Sequence, residues 1–105
     1  MDGIHEGHRA RMKKKLLENG ERSLADHELL EVLLYYAIPR RDTNELAHRL
    51  LKQFGSLRGV LSAPVQELAC VSGVGQQAAL LMGMVQMLCR RAAQREKEQI
   101  LNSVD

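Results

Sequence analysis

The run Cys70-Val71-Ser72-Gly73-Val74-Gly75-Gln76-Gln77-Ala78-Ala79 sets two glycines around one valine in a chain whose other patterns are helical. Glycines at this spacing open backbone angles closed to other residues and let another backbone or an oxyanion come close. The apolar spacing on either side predicts a short helix ending at Cys70 and a long one beginning at Gly75. The N–H groups that open a helix have no acceptor inside it and sit at the positive end of its dipole, an arrangement suited to a phosphate. Gly73, Val74, Gly75, Gln76 and Gln77 are therefore the candidate phosphate contacts. The same run also reads as a plain turn between two helices, pinned by Val71, Val74 and Ala79, and the residues alone leave both readings open.

Positive charge that could support such a site lies elsewhere. Arg9, Arg11, Lys13, Lys14 and Lys15 form the densest basic segment, and Arg58, Arg90 and Arg91 lie on later helices. Each reads either as part of an electrostatic footprint for nucleic acid or as a solvated helix face. Arg40-Arg41 reads as a solvated loop, capping neighbouring carbonyls or pairing with an acid, or as a further contact.

The elements that must position these residues are all helical in period, and no segment alternates strictly over the length of a strand. A first helix from about His8 to Glu18 carries Ile4, His8, Met12 and Leu16 on one side and stops at Asn19-Gly20. A second, from about Asp26 to Ala37, is capped by Ser23 or Asp26 and turns Leu29, Leu30, Val32, Leu33, Leu34 and Tyr36 inward, an arc wide enough for the centre of a bundle. Pro39 ends it. The third, from Asp42 or Thr43, pairs Asp42 with Glu45 as an acidic capping box, turns Leu46, Leu50 and Leu51 inward, and stops at Gly55. A short helix begins near Ser56, and Ser62 caps the next, over Ala63–Cys70. The last helix runs from Gly75 to about Arg91 or beyond with Ala78, Leu81, Met82, Val85, Leu88 and Ala92 as its stripe. Connections are short, so the chain reads as an all-α bundle of five or six helices. Residues 1–92 form the domain and 93–105 a polar extension or linker.

Composition narrows the function classes. A chain of 105 residues with 45% hydrophobic and 27% charged residues reads as one globular domain, and a net charge of +2 does not by itself announce nucleic acid. Aromatic residues are only Tyr35, Tyr36 and Phe54, so the core rests on Leu, Val, Ala and Met. Cys70 and Cys89 have no partner spacing and read as buried free thiols in a reducing cytoplasm. The segment Met1–Lys15 has no apolar stretch of the kind a signal peptide needs, and no apolar run has the length of a membrane span. His5, His8, His27 and His48 are scattered, which implies neither metal nor cofactor, and His8 reads as a partly buried core histidine. Met82, Met84 and Met87 read as core or interface filler. No nucleophile–base pattern is present, so no enzymatic activity is expected.

The spacing from Val71 to Ala79 resembles the helix-hairpin-helix motif of DNA-repair and replication proteins, and "FGSL" at Phe54–Leu57 resembles a degenerate first hairpin of the tandem kind. Together with "GHRARMKKKLLENG" and "LADHELLEVLLYYAIPRRDTNELAHRLLKQFGSL", the hairpin resembles the N-terminal domain of the RadC-type (UPF0758) DNA repair proteins over about residues 7–92. The resemblance implies hairpin amides that hold DNA phosphates without reading sequence. It also implies a longer protein that continues into a metalloprotease-like domain with a His-x-His zinc motif, which this chain lacks. DNA-binding hairpins usually carry a basic residue two positions after the second glycine; here it is Gln77, which releases no counterion.

Two functions follow. One is a non-specific DNA-binding module; the other is an interaction domain that docks the metalloprotease-like domain, a second copy or another protein. A positive stripe joining Gly75 to the first helix favours DNA, and an apolar patch around Met84 and Met87 favours a protein partner.

Overall fold

The computed structural model describes residues 2–102, with side chains from Glu6 onward; the side chains of Ile4 and His5 and residues 103–105 lie outside the described residues. Among these, every regular element is helical: α1 (Asp2–Asn19), a single 3-10 turn (Glu21–Ser23), α2 (Asp26–Tyr35), α3 (Thr43–Phe54), α4 (Leu57–Ser62), α5 (Val65–Ala69) and α6 (Gly75–Asn102). The all-α bundle read from the sequence is therefore present, with α1 longer at its start and α6 running unbroken through residue 92.

Local chemistry explains most of the boundaries. Gly20 ends α1 at φ 84° with an extended ψ of 176°, donating its N–H to Leu16 O at 2.9 Å, and Gly55 ends α3 in the left-handed helical conformation at φ 88°. Asp42 caps α3 by accepting the Asn44 N–H at 2.9 Å, and Ser56 caps α4 by accepting the Gly59 N–H at 2.9 Å. Two expected caps are replaced. Ala25 precedes α2, and its N–H donates to the Glu28 carboxylate at 2.9 Å, a bond that holds the Glu28 carboxyl below its ordinary range; Ser23 instead donates to Gly20 O. Ser62 donates to Arg58 O one turn back, and Pro64 precedes α5.

α2 is the central helix. Leu30 and Leu34 join a core with Leu46, Leu50, Val60, Leu68, Ala78 and Met82, whereas Val32 and Tyr35 face a smaller cluster with Met12 of α1 and Leu24. Burying one leucine of this kind stabilises by about 1.5–3 kcal/mol. The inward arc of α2 is turned by one residue at its end: Tyr35 is buried, and Tyr36, expected inside, is 70% exposed. α6 is packed only in its first half, through Ala78, Ala79, Met82 and Gly83; from Met87 to Asn102 it is exposed, so Leu88 and Ala92 are not part of the core stripe. Cys70 and Cys89 are exposed, not buried, because Cys70 follows α5 into the hairpin and Cys89 lies on the exposed half of α6.

A buried polar node locks three helices together. Glu31 of α2, 1% exposed, accepts from Tyr35 Oη at 3.0 Å and from Asn44 Nδ2 of α3 at 3.0 Å, and shares a 2.9 Å hydrogen bond with His8 Nε2 of α1. A carboxyl taken out of water is tolerated only when its oxygens are occupied in this way. Arg9 lies next to the node. It is 9% exposed and donates to Tyr35 O at 3.3 Å and to Arg41 O at 2.7 Å, with its guanidinium 4.5 Å from the centre of the Tyr35 ring. The first turns of α3 and the loop before it are thereby tied to α1.

Two outcomes follow from this packing. A methyl group at Gly59 would collide with the carbonyl oxygen of Phe54, part of the backbone, whereas one at Gly7 would meet only the movable end of Arg11. Urea denaturation should find Gly59→Ala destabilised by about 1–3 kcal/mol, the usual cost of overpacking, and Gly7→Ala unchanged or slightly stabilised. Burial, and secondarily the hydrogen bond to Glu31, raise the pKa of the Tyr35 phenol. The folded state holds that proton more tightly, so the unfolded chain releases it first, from about pH 10 upward. The contribution to stability is intact below about pH 10 and declines above it, and Tyr35→Phe should flatten that alkaline decline in denaturation curves recorded across the range.

Candidate functional site

The hairpin between α5 and α6 takes the conformation that its glycines permit. Gly73 has φ 91° and Gly75 φ 72°, both in the left-handed region that other residues rarely adopt. Val71 and Val74 are 8% and 5% exposed and anchor the loop in the main core, beside Ala78 and Ala79. The Val74 N–H donates to Val71 O at 3.0 Å, so Val74 is a pin and its amide is already used. The amides left for a ligand by helix geometry are those of Gly75, Gln76 and Gln77, in the first turn of α6. Gly75, Gln76 and Gln77 are all exposed, and nothing lies within 4 Å of the position a Cβ would take on Gly75.

This hairpin forms one wall of an open cleft of ≈ 490 Å³, whose other wall is the α2–α3 loop, Ala37 to Arg41. The two walls are held in register by apolar contact, since Ile38 of the loop is buried in the same core cluster as Val71 and Val74. Two arginines approach Gly73. The position of a Cβ on Gly73 would lie 3.5 Å from Arg49 Nη2 and 3.9 Å from Arg41 Nη1. Arg49, from the exposed side of α3, donates to Ser72 O at 3.0 Å and so holds the hairpin to that helix. The ion pairs of the described residues are His8–Glu31 and Lys14–Glu18, so neither Arg41 nor Arg49 has its charge neutralised by a carboxylate among those residues.

The basic residues proposed from the sequence divide accordingly. Arg9 is not a solvent-facing cation: it is buried, and its donors are spent on two backbone carbonyls. It nonetheless serves the cleft, because one of those carbonyls belongs to Arg41. Lys13 lies 4.9 Å from the centre of the Tyr36 ring, Arg11 is exposed, and Lys14 reaches Glu18 at 4.0 Å. Arg58 is exposed on α4. Arg90 and Arg91 are carried by α6 roughly 22 Å beyond Gly75 at 1.5 Å per residue, too far to share a phosphate with the hairpin.

Sequence reasoning missed Arg49 and undervalued Arg41. No local pattern flags Arg49, because its proximity to Gly73 arises only when α3 packs beside the hairpin. His27 and His48, read as scattered, stack with ring centres 4.2 Å apart, but no group of three or more His, Cys, Asp or Glu able to hold a metal occurs among the described residues. No helix among them is long and apolar enough to cross a membrane. The site thus offers backbone amides and the unneutralised Arg41 guanidinium in an open cleft, with the Arg49 guanidinium beside Gly73, a set of donors that fits an anion.

Comparison with known proteins places the chain in a family. The UPF0758 N-terminal family model matches residues 5–80, from within α1 to the start of α6. A UPF0758 protein of Ruegeria pomeroyi is 37% identical over 100 residues, covering 93% of this chain. That alignment takes in 45% of the relative, so the chain spans about half the length of the curated protein it matches. No solved structure matches it. The chain belongs to the UPF0758 family, of which it presents the N-terminal domain.

Proposed function

We propose that this domain is a cytoplasmic, non-sequence-specific DNA-binding module that holds phosphate groups at the α5–α6 hairpin. The observation that carries the reading is the convergence of Arg41 and Arg49 on Gly73, beside the amides of Gly75, Gln76 and Gln77. Gln77 leaves the hairpin without the basic residue usual at that position, and two arginines from neighbouring segments supply the charge instead. The donors address phosphate oxygens, which every nucleotide presents, so the contacts carry no sequence information. The resemblance to RadC-type repair proteins points the same way. Arg9 of α1 holds the Arg41 backbone in place through its bond to Arg41 O, which keeps this charge at the hairpin.

A second reading, an interaction domain for a metalloprotease-like domain or a second copy, is favoured by Met84, Met87 and Leu88, which are 42%, 45% and 63% exposed on α6. The two readings differ in their response to salt.

Fluorescence anisotropy with labelled duplex DNA at about 50 and 200 mM salt separates them, since phosphate contacts weaken over that range. Arg41→Gln should lower affinity and reduce the slope of log K against log salt by about 0.9, one phosphate contact's worth, while Arg95→Gln on the exposed half of α6 should change neither. Absence of binding at 50 mM, or a slope unaltered by Arg41→Gln, would turn attention to the apolar patch on α6.

A further inference from the structure

Tyr36, one residue before the cleft wall, is a feature that phosphate binding alone does not use. It is 70% exposed, whereas the other aromatic residues are covered: Tyr35 is 6% exposed and Phe54 packs against the main core. It also stands immediately before Ala37, the first residue of the cleft wall that continues through Arg40 and Arg41. Its backbone is fixed, with φ −76° and ψ −15° and an N–H that donates to Leu33 O at 3.2 Å, while the next N–H, of Ala37, donates to Leu34 O at 3.1 Å, so the ring is carried on the rigid end of α2 and not on a free loop. Lys13 Nζ sits 4.9 Å from the ring centre, close enough for cation–π attraction, which steers the ring and adds positive charge beside it.

Resting on the phosphate-binding reading above, we infer that Tyr36 is a stacking platform for an unpaired nucleobase, and that the ligand of this cleft is DNA with single-stranded character. The amides of the hairpin and Arg41 attract phosphates of either a duplex or a single strand. An exposed ring distinguishes them, because the faces of bases inside a duplex are already occupied by their neighbours. A nucleotide whose phosphate lies in the cleft has its base free to turn onto the Tyr36 ring only when that base is unpaired. Stacking of this kind tolerates any base, which keeps recognition independent of sequence.

The test uses labelled oligothymidine and a blunt duplex of equal length, each titrated with wild type, Tyr36→Ala, Tyr36→Phe and Arg41→Gln. Tyr36→Ala should weaken binding of oligothymidine about 5- to 150-fold, the range of one lost base–aromatic stack, and leave the duplex unchanged; Tyr36→Phe should restore single-strand binding. Equal loss on both ligands, or no loss on oligothymidine, overturns the stacking role. If Arg41→Gln weakens both ligands while Tyr36→Ala weakens neither, the phosphate site stands and the platform is overturned. If wild type binds neither ligand, both are overturned together.

Discussion

Glu31 is the constraint from which the rest of the site is built. Its carboxyl group sits at the junction of α1, α2 and α3, almost wholly removed from water, and is bonded to His8, Tyr35 and Asn44. A buried carboxyl of this sort has few acceptable geometries, because any partner that moves away leaves it unsatisfied in a medium that penalises it. The consequence reaches beyond stability. With Asn44 bonded to Glu31 and Asp42 capping α3, the start of that helix is fixed, and the short loop between α2 and α3 has little freedom left.

That loop carries Arg40 and Arg41, and a second polar contact decides where it points. Arg9 spends its charge-assisted hydrogen bonds on Tyr35 O and Arg41 O, so a basic residue of α1 orients the backbone of another basic residue and does not meet a ligand itself. From the other side Arg49 fastens the hairpin to α3 through Ser72 O. The candidate phosphate site is therefore assembled from three separate segments. The hairpin contributes backbone donors, while the α2–α3 loop and α3 contribute charge. A hairpin that lacks its own basic residue at Gln77 is compatible with anion binding because the guanidinium groups arrive from elsewhere in the fold.

Much of the architecture was legible in the residues because it follows from local rules. Helical period, the positive-φ glycine stops at Gly20 and Gly55, and the cap at Asp42 each depend on a few neighbouring positions, and the two hairpin glycines adopt the positive φ angles their spacing suggested. Features set by tertiary packing were less visible. Tyr35 and Tyr36 are adjacent and chemically alike, and which of them turns inward depends on Glu31 offering a hydrogen-bond partner to Tyr35. Ser23 and Ser62 have the chemistry of helix caps, yet each donates to a nearby carbonyl instead, at Gly20 and Arg58. Leu88 and Ala92 continue the stripe of α6, but the helix has outrun the elements that would cover them. Arg9 and Arg49 exchange the roles their surroundings in sequence suggest: the residue in the basic cluster is buried, and the one on an ordinary amphipathic helix lies at the hairpin.

An anion held where Gly73, Gly75 and Arg41 line the cleft is detected most directly by nuclear magnetic resonance. In a titration of the isotope-labelled chain with inorganic phosphate and then with a short oligonucleotide, the backbone amide signals of Gly73, Gly75, Gln76 and Gln77 and the side-chain Nε signal of Arg41 should move together and saturate. The signals of Met84, Met87 and Leu88 should stay in place. Shifts confined to that apolar stretch of α6, or hairpin amides that do not respond to either ligand, would contradict the account.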